Sequence, residues 1–379
     1  MWINSRPAPA PCNVSSQPLT RDALNRALLA RQMLLARETV SPVKVVERLA
    51  GMQAQQARPP FIGLWTRLEN FSRNQLIQSL QRKTIVRATM MRATVHLMSA
   101  RDYLDLRGAL QPMLAACIPP SKIKALGGES VEAILKAGRS FYAKTPRPFN
   151  EMVTQLETQF PKAHPRIAAV MVRLNVPKVQ IPTEAPWGYT NVPEWLVAEK
   201  WLGKPVPMTQ DLAALVKKYL AAFGPATPAD AQAWSGCKGL RAVFEEMRPR
   251  LKTFQNEKGQ ELFDLPRAPR PAVDTPAPVR FIPDFDNLIL SHADRTRIVD
   301  DEYRPALVSK NLLVRATYLV NGRVAGMWKV ELARQSATLI VEPFAPIPAK
   351  AKAELKAEGE RLLHFIEPNA TTHKIQFKK

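Results

Sequence analysis

The chain has 379 residues, 46% of them hydrophobic, which is enough for buried cores and more than one domain usually holds. Its 54 Lys and Arg against 33 Asp and Glu leave a net charge of +21, which points to a polyanionic partner, most simply nucleic acid. Cys12, Cys117 and Cys237 lie far apart with no Cys/His cluster, so neither a zinc site nor a disulfide framework is indicated; no window approaches the roughly 18 apolar residues that a membrane-spanning helix needs.

Residues 1–18 are rich in Pro and Ser and lack the apolar stretch of a signal peptide; a disordered segment and a cytoplasmic protein are expected. Thr20 caps a helix over 20–37, with Leu24, Leu28, Leu29, Met33 and Leu35 at helical spacing. Ser41-Pro42 opens a second helix that stops at Gly51.

The run Gly51-Met52-Gln53-Ala54-Gln55-Gln56-Ala57-Arg58-Pro59-Pro60 follows. Its paired prolines are expected to stop regular structure, leaving it extended or looped. In an extended chain, residues two apart point to the same side, so Gln53 and Gln55 would turn two uncharged amides toward one small target.

Ser72 starts a further helix to about Arg82. The β-branched stretch 85–97 reads as a strand pair, and Ser99-Ala100-Arg101-Asp102 as a helix start. Residues 121–142 are helical around a Gly127-Gly128 break, and 145–148 looks like a linker. Helices from Asn150 and over 164–174 precede an apolar, proline-broken stretch, 176–189, expected to form edge strands or a wing.

Thr209 is expected to cap a helix to Phe223. Thr227-Pro228-Ala229-Asp230 caps a short helix to Trp234, and 238–247 is a third helix, bearing Lys238 and Arg241. A hairpin then turns at 256–259. Three helices and a hairpin form the winged-helix order, in which the third helix is the one offered to a groove or phosphate backbone. After a proline-rich hinge, 266–278, strands over 312–320 and 323–330 flank Asn321-Gly322, the strongest hairpin signal. A strand over 337–341 and an amphipathic helix over 349–365 complete a β-rich, barrel-like domain.

Arg87, Arg92, Lys238, Arg241, Arg295 and Arg297 are candidates for phosphate contact, and His96 and His292 for reaching DNA, set against structural roles for both histidines. Ser291, His292 and Asp294 stand too close in sequence for a catalytic triad, and no Gly-x-Ser-x-Gly elbow exists.

Several of these stretches together resemble the tandem winged-helix DNA glycosylases of the AlkZ and YcaQ type, a bacterial family that includes azinomycin-resistance enzymes. The resemblance rests on Gly51-Met52-Gln53-Ala54-Gln55, Met91-Arg92-Ala93-Thr94-Val95-His96-Leu97, Gly224 to Asp230 with Trp234-Ser235-Gly236, the run from Pro283 to Arg295, and Asn321 to Trp328. The run Asp284-Phe285-Asp286-Asn287 with Ser291-His292-Ala293-Asp294-Arg295 is its most specific part.

The resemblance implies an α+β fold of three tandem winged-helix motifs (19–144, 145–206 and 207–275) and a C-terminal β-rich domain (276–379). It implies excision of alkylated purines from double-stranded DNA, including unhooking of interstrand crosslinks, with Gln53 and Gln55 catalytic and no cofactor or metal. Gln at position 55 sides with the crosslink-repair branch, where the other branch has Asp.

An N7-alkylated purine is cationic and leaves as a neutral base, so a placed water and a polar wall suffice. Two amides suit such a leaving group better than a neutral damaged base. A monomer is expected, with no membrane contact. The competing expectation is a winged-helix transcriptional regulator without catalysis. It accounts for the charge but gives no reason for the paired amides.

Overall fold

The computed structural model describes residues 17–308 and 314–378. The expectations for residues 1–16, Cys12 among them, and for the start of the strand at 312–320 fall outside the described residues. Local signals position most elements. Thr20, Ser41 and Ser99 each cap a helix by accepting the N–H three residues on, and Ser72 and Thr227 head full capping boxes.

A six-stranded sheet carries the first half of the chain. Its strands are β1 (Met52–Gln53), β2 (Ile85–Thr89), β3 (Val95–Ser99), β4 (Arg147–Pro148), β5 (Lys178–Gln180) and β6 (Glu194–Val197), in the order β1-β3-β2-β5-β6-β4. Residues 145–148 are thus no simple linker: Arg147 pairs with Trp195. Arg87 pairs with Gln180, so the sheet runs unbroken across position 144, where a domain boundary is expected. The second correction concerns the prolines. Pro59 and Pro60 open the helix Pro59–Trp65, because the first turn of a helix needs no N–H donor.

In the third block, the helices Leu212–Phe223, Pro228–Ser235 and Leu240–Met247 precede a hairpin of β7 (Lys252–Gln255) and β8 (Glu261–Asp264), the expected order. Asp211 caps the first of them, not Thr209.

The C-terminal block is an open sheet, not a barrel. Its strands are β9 (Arg280–Ile282), β10 (Thr317–Val320), β11 (Arg323–Ala333), β12 (Ser336–Pro343) and β13 (Thr372–Phe377), in the order β13-β12-β11-β10-β9. Asn321 and Gly322 make the β10–β11 turn with positive φ at both, as Asn-Gly favours. The helix Ala349–Ile366 joins β12 to its parallel neighbour β13 and buries Leu355, Leu362 and Leu363. The edge strands β9 and β13 do not pair with each other, so the sheet does not close.

Gly51, at φ +91°, sets the entry to β1. A Cβ there would come within 2.4 Å of the Met98 sulfur on β3, so only glycine lets the strand approach this closely.

Candidate active site

Gln53 sits at the end of β1 opposite His96, so both side chains share one face of the sheet. Gln53 is 8% exposed and His96 fully buried. The Gln53 Oε1 accepts from Arg92 Nη2 at 2.7 Å. Because a guanidinium only donates, this contact fixes which end of the amide is oxygen.

Arg92 itself stands in a left-handed turn, φ +54°, followed by Ala93 at +58°. The same guanidinium donates to the Trp234 carbonyl at the end of the helix Pro228–Ser235 and to Asn287 Oδ1 at 3.2 Å. Asn287 in turn donates to the Gly51 carbonyl at 3.3 Å, across 236 residues of sequence. One half-buried cation therefore ties the glutamine strand to the third block and to the C-terminal block. Burial lowers the Arg92 pKa to about 10, with nearby Arg295 adding to the shift. It remains charged at neutral pH.

Gln55 lies one residue past the ladder. Ala54 N–H still bonds the Val95 carbonyl at 2.7 Å, and the Gln55 side chain then turns back so that Oε1 accepts from Val95 N–H at 3.3 Å. This overturns the simple alternation expected of an extended run. Gln53 borders a narrow crevice of about 10 Å³, close to the space of one water, also lined by Gln32, Pro283, Asp284, Asp286 and Asn287. Gln55 borders an open cavity of about 750 Å³ with Arg58, Arg173, Gln180, Trp187 and Tyr189. The segment 53–60 lines both, with Gln53, Pro59 and Pro60 on the crevice and Gln55 to Arg58 on the cavity. Each amide oxygen already has one protein donor and keeps a second lone pair, and neither NH2 group has a partner among the described residues.

The loop carrying Asp284 to Asn287 is held on all sides. Trp328 Nε1 donates to the Ile282 carbonyl at 2.9 Å, and Phe285, at φ +61°, bonds Val314. Asp286 receives both ends of the Arg67 guanidinium at 2.9 and 3.0 Å and caps Leu288.

The basic candidates divide by depth. Lys238 and Arg241 are exposed, Lys238 just before the third-block helix and Arg241 on it. Arg295 is half-buried, and burial lowers its pKa. Arg87 and Arg297 are buried and Arg92 is half-buried, and Arg87 also lines the open cavity at Gln55. Arg87 donates to the Ala54 carbonyl at 2.7 and 3.0 Å over the Tyr189 ring, and Arg297 to the Pro225 carbonyl at 2.8 Å.

The histidines are likewise interior. His96 Nδ1 faces the Thr94 carbonyl at 3.1 Å, its Nε2 has no partner among the described residues, and burial drops its pKa to about 3. His292 bridges Ser291 Oγ and the Phe223 carbonyl, 3.0 Å each, in the core. Ser291 and His292 thus do meet, but too deep to serve a substrate. Sequence reasoning missed Asp284 and Asn287 as neighbours of Gln53. Both lie in the run from Pro283 to Arg295, yet no local pattern in that run ties it to a strand so far away.

The family model described as "DNA glycosylase AlkZ-like" matches residues 46–365. An interstrand DNA cross-link repair glycosylase of Streptomyces sahachiroi is 23% identical over 370 residues, covering 91% of this chain and 95% of that protein. The solved structure of the Streptomyces sahachiroi DNA glycosylase AlkZ superimposes with a TM-score of 0.75 at 20% identity, covering 94% of this chain and 99% of the other.

Proposed function

The chain belongs to the AlkZ-like DNA glycosylase family, and from that premise we propose that it hydrolyses the N-glycosidic bond of cationic N7-alkylated purines in double-stranded DNA, bulky adducts and interstrand crosslinks included. It acts as a monofunctional enzyme of base excision repair in the bacterial cytoplasm. The observation that carries this reading is the segment 53–60, with a water-sized crevice at Gln53 and a large cavity at Gln55. The crevice suits the attacking water, and the open cavity suits a substituted base that stays attached to a second strand.

In this reading Gln53 offers the water the second lone pair of Oε1, its first being held by Arg92. Gln55 offers its NH2 group to the lesion, its oxygen being held by Val95. Positioning matters more than acid catalysis here, because the alkylated base departs without protonation. The three winged-helix motifs implied by the resemblance would grip the duplex around this segment, with Lys238, Arg241 and Arg295 on phosphates. A regulator without catalysis leaves the pinned amides and both recesses without a use.

The test is release of base from N7-methylguanine DNA, read as alkali-labile strand breaks. The protein should release the base, and Gln53→Ala and Gln55→Ala should each lose about a hundredfold or more in single-turnover rate while binding DNA as before. Full activity in both variants would remove the two glutamines from the reaction.

A further inference from the structure

We propose that Asp284 is a further catalytic residue, the base that takes the proton from the attacking water in the crevice it shares with Gln53. The inference rests on the reading of that crevice given above and adds to it the one group able to accept a full proton.

Two carboxylates line the crevice, and they differ. Asp286 is neutralised by the two-pronged Arg67 contact and occupied as a helix cap. Asp284 takes only backbone N–H bonds, from Ala316 at 3.1 Å and from its own residue, and forms no ion pair among the described residues. It is half-buried, and a carboxylate has about four acceptor sites, so capacity remains for a water. The left-handed backbone of Phe285 places Asp284 and Asp286 on the same crevice, a conformation uncommon for a bulky residue. Burial raises the Asp284 pKa from its ordinary value, against the pull of its N–H bonds and of Arg58. A base raised in this way is better matched to a water than an ordinary surface carboxylate.

The step balances without a co-reactant. The water oxygen bonds to C1′ as the C1′–N9 bond breaks. The electron pair of that bond stays on N9 and cancels the charge of the alkylated ring. One water proton passes to Asp284 and on to solvent. Asp284 gives no help to the leaving base, so the preference for cationic lesions stands.

Asp284→Asn keeps an oxygen for the Ala316 N–H but removes the basicity. On N7-methylguanine duplex under single turnover, its rate should fall about a hundredfold, with DNA affinity and melting temperature close to wild type. The wild-type rate should fall as pH drops through the Asp284 pKa. Arg58 and the Asp286–Arg67 pair are the charged groups around it. Asp284→Glu should retain that acid limb and Asp284→Asn should lose it. An Asn variant within about threefold of wild type, or one that keeps the acid limb, overturns the inference alone. A wild-type protein that releases no base from this probe overturns the reading of the site, and this inference with it.

Discussion

Arg92 carries a positive charge into a place where, among the described residues, no carboxylate pairs with it. Its partners are three neutral oxygens, on Gln53, Trp234 and Asn287. Such a group is retained for geometry more than for Coulomb energy. Replacing it by Met leaves those oxygens short of a donor and should cost about 3 kcal/mol of stability, measured by urea unfolding. It should also slow base release, because the Gln53 amide is then free to rotate. The effect belongs to Gln53, so the pair Gln53→Ala/Arg92→Met should be no slower than Gln53→Ala alone. Arg92→Lys should recover only part of the rate, since an ammonium cannot reproduce the planar fork that spans separate acceptors.

At the scale of elements, the proposed function would set the third-block helix, with exposed Arg241 on it and Lys238 just before it, against the backbone of a duplex. Lys238→Ala/Arg241→Ala should weaken binding alike on all sequences and lower the slope of log affinity against log salt by about 2, as measured by titration at several salt concentrations. Arg87 and Arg297 should not behave this way. Their loss should appear in stability, because their donors serve buried carbonyls.

That division marks where sequence stops being informative. Thr20, Ser41, Ser72, Ser99, Thr227 and Asn321-Gly322 were readable because a cap or a turn is decided within four residues. Composition exposes charge but not depth, so buried Arg87 and exposed Lys238 looked alike. The double proline at 59–60 was misread because one residue type both ends and begins helices. Both glutamines stood out in sequence. The run holding Asp284 and Asn287 stood out as well, but not its place beside Gln53, because it joins the crevice through tertiary packing alone.

Across the whole molecule, the six-stranded sheet and the Arg92 contacts join regions that the sequence divides into separate units. Unfolding should therefore be a shared event over the first half of the chain, and acid should promote it. An unfolded histidine titrates near 6.5, whereas His96 when folded titrates near 3, and His292 is also depressed, by burial first and then by Arg297. Between those values the unfolded chain binds the extra protons, so this stability is complete above about pH 6.5 and declines with falling pH. Each histidine should remove about 1.4 kcal/mol per pH unit there, read from urea midpoints at pH 7 and pH 5. No helix of the described residues is long and apolar enough to cross a membrane.

Synthesis order gives the Arg92 junction a further meaning. Gln53 leaves the ribosome 234 residues ahead of Asn287. A nascent or prematurely terminated chain would hold the Gln53 strand without the Asn287 contacts to Arg92 and Gly51. Unfinished copies should therefore be harmless to the chromosome, with translation itself acting as the safety catch.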